Sequence, residues 1–551
     1  MNRIAIILVV LVAAAALFFV TTLGNTKDDF EAGAKVFRIP LDNDPKTLDP
    51  IKVTDVDSDG MCQKLYNTLI RLDKDLRPQP ELCSEMPVWD AAEKSFTFKL
   101  RTDVRFHNGR PMTARDVKYS WERLLDANES ARPVILKSVV GAQELLERKT
   151  DKCAGLEVVD EHTFKVRLLK EDPIFLIQIS MVNAAVIPEE AVLEAQASHK
   201  TFSAQPVGTG PFKLSRWDYG RRIVLRRHEA YFKGASKLDG MICELVPEPQ
   251  TRLEKFMKGE FHVSDIPFGR LKVLEQEHPD LIKTNSSLRT NYLGLLLNRK
   301  ADDGTIVPVE PLGSNLKLRQ AINHAVNRQY ICETILEGQG IPAQSVLPPG
   351  LAGHDPEIKG WSYDVEKAKA LLAEAGYPGG AGLKEFDFYY RKDPDIEQTA
   401  LAIQNNLGAI GVKVNLRSLE WNAFLEKVYK DPPELFFLGW VADYPDAENF
   451  IDWLFHTSQW GEPGNETRYH NPEVDKLLEE ARTTMDSNAR LKLLNRAEKI
   501  IVEQDVGWVL LYWKVNKILL SKHAKGVAEQ LCPLDVGHGL NHVDFSKVDL
   551  E

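Results

Sequence analysis

Residues 434–446 read Glu-Leu-Phe-Phe-Leu-Gly-Trp-Val-Ala-Asp-Tyr-Pro-Asp, and they decide the fold class. An apolar strand from Glu434 to Gly439 is bounded by Asp431-Pro432-Pro433 on one side and by the turn Tyr444-Pro445-Asp446 on the other. The loop that leaves it carries an indole, Trp440, and a carboxylate, Asp443. Upstream the pattern alternates: strand Phe386–Arg391, a helix from about Ile396 to Leu407, strand Val412–Arg417, helix Trp421–Val428. Such alternation predicts an α/β fold with a parallel sheet. Ligands of open α/β sheets sit in the crevice beyond the carboxyl ends of the strands, which is where Trp440 and Asp443 stand. Taken alone, the same two residues also fit a core indole and a turn-capping carboxylate.

The amino terminus adds a compartment. Met1-Asn2-Arg3 is followed by Ile4 to Thr26 without a charge. As a helix that run spans roughly 34 Å, against about 30 Å for a hydrocarbon core. It reads as an uncleaved membrane anchor or, alternatively, as a cleaved signal peptide whose apolar region is unusually long. Both readings export the rest of the chain, with residues 27–35 as a linker. The 551 residues carry a net charge of −11 and no basic run, which argues against a nucleic-acid partner. Six cysteines with no CxxC unit are too few to staple so long a chain, and they read as buried thiols or incidental disulfides.

Several chemical motifs fail on inspection. Asp55-Val-Asp57-Ser-Asp59-Gly60 copies the start of a calcium loop, but the twelfth position is Tyr66 where a bidentate Glu is required. Pro206-Val-Gly208-Thr-Gly210-Pro211 is glycine-rich, yet Pro211 would break the helix that should hold a phosphate, so it reads as a tight turn. No HExxH and no GxSxG occurs. Ordinary elements are well marked. Phe96–Arg101 alternates as a strand, Asn108-Gly109 makes a turn, and Thr113 with Asp116 opens a helix to about Leu125. Asp364 caps another helix, ending at Gly376-Tyr-Pro378; Leu316–Asn327 and Asn488–Gln504 have helical spacing. Phe212–Trp217 and Ile223–Arg227 read as a hairpin, and the break between a β-rich first half and an α/β second half falls near Thr284–Arg289.

Four ordered blocks carry a resemblance. They are Phe96–Arg101 with Val104–Val117, Pro206–Phe212 with Arg227–Phe232, Leu318–Arg328 with Gly338–Pro349, and Gly439–Asp443. Together they resemble the bacterial extracellular solute-binding proteins of family 5, the dipeptide and oligopeptide receptors of ABC importers. The resemblance implies a Venus-flytrap fold of the periplasmic binding protein type 2 kind, with two lobes built from three domains. Domain I would comprise residues 36–65, 190–288 and 510–551; domain II, inserted, 66–189; domain III, 289–509. It also implies a monomeric, non-catalytic periplasmic receptor, tethered to the inner membrane or soluble. Such a receptor hands a peptide to an inner-membrane ABC permease and needs no cofactor or metal.

For the site, the resemblance implies that the backbone of Gly439 and Val441 holds peptide main chain, with Trp440 as cleft wall and Val56 beside the ligand. Asp443 would pair with the peptide's α-ammonium group. One departure stands out: Phe437 occupies a position where some oligopeptide receptors carry an arginine for the peptide's carboxylate. Arg391, at the end of a neighbouring strand, is the candidate replacement. Members that bind nickel complexes, haem or sugars keep the fold, so a non-peptide solute is the competing reading. An exported hydrolase is a further one.

Overall fold

The computed structural model describes residues 29–461, 464–535 and 540–551. The apolar segment 4–26 lies outside the described residues, and no described helix is long and apolar enough to cross a membrane. Apolar side chains gather into three principal cores. The first joins Phe37 and Ile39 near the start of the chain to Met241 and to Ile518 and Leu520 near its end. The second packs Phe98, Trp121, Phe164 and Phe175. The third and largest contains Tyr292, Phe388, Phe436 and Trp508.

Local signals formed the expected elements. Asp116 accepts from the backbone N–H of Thr113 at 2.8 Å and opens the helix Ala114–Leu124. Asp364 accepts from Lys367 at 2.9 Å and opens Val365–Glu374. Phe212–Asp218 and Arg222–Arg227 pair antiparallel. The calcium-like segment is a helix start: Asp55 accepts from the backbone N–H of Ser58 at 2.9 Å, capping Val56–Leu65. The helix expected over 488–504 runs from Ser487 to Lys499 and continues as π-helical turns, Ile500–Asp505.

The sheet of the largest core corrects one expectation. It has seven strands, and only Leu435–Val441, Phe386–Arg391 and Val414–Leu419 run parallel. Ile282–Leu295 pairs antiparallel with Leu435–Val441 on one side and with Trp508–Leu520 on the other. Strand–helix alternation describes only consecutive segments; it says nothing of strands that arrive from far away in the chain. These two long strands also join the lobes, since Trp508–Trp513 belong to the third core and Ile518 and Leu520 to the first. Their ladder slips between Ser286 and Thr290 and again between Asn291 and Tyr292. Bulges of this kind bend and twist a strand, so the connection is kinked at the crossover.

Candidate ligand-binding site

The strand that carries the site is longer than the sequence suggests. Gly439 pairs with Asn291 as expected of a strand residue, and Trp440 and Val441 are further rungs, not a loop, paired with Thr290 and Arg289. On the other side the ladder to Phe386–Arg391 has only two rungs, Leu435 with Phe388 and Phe436 with Tyr389. From Phe437 onward that edge of the strand has no ladder partner among the described residues. Gly439 has a steric reason to be glycine. A Cβ there would lie 2.4 Å from Asn291 Oδ1 and 3.2 Å from Arg289 Nε, because the Arg289–Asn291 hydrogen bond crosses over it.

Beyond the strand, Asn449 fixes the turn. Its Oδ1 accepts from Trp440 Nε1 at 2.9 Å and from the backbone N–H of Asp443 at 3.0 Å. At the entry to the helix Glu448–Phe455, Asp446 accepts from the backbone N–H of Glu448 at 2.8 Å. The Asp443 carboxylate instead reaches across to the other lobe, where Arg132 Nη2 lies 3.2 Å away. Both side chains keep about a third of their surface, 29% and 32%. The pair is therefore screened by water and individually weak, of the order of 1 kcal/mol or less.

A cavity of about 290 Å³ lies between the lobes, near the lower bound of roughly 300–1,000 Å³ usual for small-molecule sites. Val441 and Asp443 line it from one side, Val56 and Arg132 from the other. Gly439, Trp440 and Arg391 do not line it; Trp440 packs against the largest core. Phe437 is buried, with its ring 6.5 Å from that of Tyr512. Arg391 bonds Asp393 at 2.9 Å and stacks over Trp421 at 5.6 Å.

Motif blocks far apart in sequence brace this cavity. Gly208 and Gly210 let the turn press against the end of the helix Val56–Leu65, since a Cβ on either would lie within 2.4 Å of Leu65 backbone atoms. His107 spans the same turn, accepting from the backbone N–H of Gly208 at 3.2 Å and meeting the carbonyl of Gly210 at 3.1 Å through Nε2. Burial pushes His107 down to about 3, so the ring is neutral and one nitrogen can accept while the other donates.

Sequence reading missed the charged floor of the cavity. Glu81, only 4% exposed, receives Arg71 Nε at 3.0 Å, Lys233 Nζ at 2.5 Å and Asn67 Nδ2 at 2.8 Å. Lys233 follows the Arg227–Phe232 block directly, which was the available signal; Glu81 and Arg71 carried none. One metal-capable group occurs among the described residues, Cys532, Asp535 and His542 within 4.8 Å. Asp535 already accepts backbone N–H bonds from Cys532 and His542, at 3.0 and 2.9 Å, and burial with the Asp535 charge raises the Cys532 thiol. Those bonds tie Cys532 and His542 together through the Asp535 carboxylate.

Comparison with known proteins agrees with this architecture. A family-wide profile for bacterial extracellular solute-binding proteins, family 5 Middle, matches residues 77–462. Heme-binding protein A of Haemophilus influenzae is 30% identical over 497 residues, 87% of each chain. The probable D,D-dipeptide-binding periplasmic protein DdpA of Escherichia coli is 29% identical over 88% of this chain and 89% of its own. Among solved structures, the periplasmic binding protein DppA from Helicobacter pylori, in complex with the peptide STSA, superposes with a TM-score of 0.76 at 25% identity. That superposition covers 94% of this chain and 98% of the other, consistent with the two-lobed type 2 periplasmic binding fold. With a matched profile spanning well over half its length, the chain belongs to the bacterial extracellular solute-binding proteins of family 5.

Proposed function

We propose that this chain is an extracytoplasmic receptor that captures short peptides between its lobes and delivers them to an ABC permease of the inner membrane. The observation that carries the reading is the edge of the strand Leu435–Val441, unpaired from Phe437 onward, whose last residue Val441 lines the cavity with Asp443 two residues beyond it. A free strand edge binds peptide main chain by backbone hydrogen bonds and leaves side chains largely unread. Gly439 and Val441 supply those groups. Asp443 receives the α-ammonium group, displacing Arg132, the cation that now meets it. Val56 closes the cavity opposite. The three cores correspond to three domains, hinged at the kinked crossover strands, and residues 4–26 direct export or tether the receptor to the membrane.

The receptor carries its ligand without chemistry of its own. The competing reading, a haem or another non-peptide solute, draws on the haem-binding relative; the open strand edge beside Asp443 favours a peptide. Native mass spectrometry of protein purified without refolding, followed by calorimetric titration and thermal melting with alanine peptides, tests the proposal. A peptide bound one to one and recovered intact supports it. At about 100 times the dissociation constant it should stabilise the protein by about 2.7 kcal/mol. A co-purified haem, chelate or sugar, with no response to any peptide, overturns it.

A further inference from the structure

Cys532, Asp535 and His542 follow the crossover strand Trp508–Leu520 in the chain, and the proposed peptide contacts do not use them. A sulfur, a carboxylate oxygen and an imidazole nitrogen lie there within 4.8 Å of one another. Cys532 and Asp535 are each 1% exposed, so this is no chance cluster of surface acids. The backbone that carries them is pinned from outside. Asn285 Nδ2 donates to the carbonyl of Cys532 at 2.8 Å and Asn516 Nδ2 to the carbonyl of Asp535 at 2.5 Å. Those two asparagines are register partners on the two crossover strands.

The side chains keep capacity that the fold does not use. Each Asp535 oxygen accepts one backbone N–H, and a carboxylate oxygen has two lone pairs, so one on each stays open. His542 Nδ1 is buried without a hydrogen-bond partner, 3.6 Å from Asp535 Oδ1 and beyond bonding reach. Its Nε2 meets only Gln63 Nε2, at 3.5 Å, so either ring nitrogen can carry the proton. We propose that Cys532 Sγ, an Asp535 oxygen and His542 Nδ1 bind a divalent ion of the zinc type, which enters from the interlobe cavity that His542 lines.

Thiolate, carboxylate and imidazole are the ligands zinc takes, and three of them leave its fourth tetrahedral position to water. Binding breaks the thiol S–H bond; the proton leaves to solvent, the sulfur keeps the electron pair that bonds the metal, and nothing is oxidised or reduced. A dication with one thiolate, one carboxylate and a neutral imidazole sums to zero charge, which suits a site closed to water. Asp59 and Lys64, the other charged groups acting on His542, oppose one another. The ion also reverses the burial and the Asp535 charge that hold the Cys532 thiol up, since a coordinated thiol is deprotonated outright. This departs from the expectation of a receptor without metal, and it holds whichever solute the cavity carries.

Full-length protein, stripped by a chelator and then freed of it, is titrated with Zn²⁺ and with Co²⁺ in the absence of thiol reductants. One Co²⁺ per chain should bind with a thiolate-to-cobalt charge-transfer band, and Zn²⁺ should displace it. Cys532→Ser should lose the band, whereas Cys153→Ser, a buried thiol of another core, should keep it. His542→Gln should weaken Zn²⁺ at least about tenfold, the least that loss of even an outer hydrogen-bond partner of a metal ligand costs. X-ray absorption of the zinc-loaded unmutated protein should show one sulfur at about 2.3 Å among nitrogen and oxygen ligands at about 2.0–2.2 Å, a result that needs no variant to fold. A metal shell without sulfur, a band that survives in Cys532→Ser, or a loss below tenfold in His542→Gln overturns the site.

Discussion

Two pairs of cations in this protein meet opposite fates. On the cavity floor Arg71 and Lys233 share the carboxylate of Glu81, which is 4% exposed and held in turn by Asn67. Beside the strand Leu435–Val441, Arg289 on Ile282–Leu295 and Lys514 on Trp508–Leu520 have no carboxylate within ion-pair distance among the described residues. The first cluster is complete, so its contribution is to stability and shape. The second is incomplete, so removing either cation strands no partner charge. Arg132 and Asp443 fall between: a matched pair, but one that spans the lobes and keeps water on both sides.

The largest expected effect tests the difference directly. Glu81→Gln strands two cations and should cost roughly 3 kcal/mol in urea unfolding, the low end for a broken buried pair because Arg71 and Lys233 stay partly hydrated. Lys514→Met orphans nothing and should change stability by less than about 0.5 kcal/mol. Equal losses in the two variants would erase the distinction between complete and incomplete clusters.

A smaller change in free energy is expected at Asp443. Asp443→Asn should weaken free peptides by about 10- to 150-fold with little loss of stability, and N-acetylated peptides should bind the unmutated protein comparably poorly. Calorimetry decides it; binding within about threefold of the unmutated protein would remove the ammonium anchor. The smallest effect belongs to Arg132. If it only occupies Asp443 until ligand arrives, Arg132→Met should tighten peptide binding by up to about fivefold, the worth of an exposed pair. Weaker binding would instead make Arg132 a ligand contact. Raising salt from 0.1 to 1 M shortens screening from about 10 to 3 Å and should narrow the gap between this variant and the unmutated protein.

How much was legible follows from the range of each signal. Thr113 with Asp116, Asp364, and the hairpin after Phe212 were readable because a cap or a turn is written within a few residues. The strand around Phe436 was readable, but its end was not. Trp440 and Val441 look like loop until Thr290 and Arg289 are seen to pair with them. Arg391 was a fair candidate on sequence, and only the folded chain reveals Asp393 at its guanidinium and a cavity that passes it by.

By itself, then, the sequence determined the elements, the family blocks in their order, and Asp443 as the carboxylate at the end of the wall strand. The tertiary structure decided which strands lie side by side and in which direction, and so which charges meet. Periodicity encodes that a face will be buried, not what will cover it. Glu81 meets Lys233, Asp443 meets Arg132, and Arg289 lies beside Val441 across separations of more than a hundred residues. No local pattern carries such pairings, because they are set by how three cores pack around one cleft.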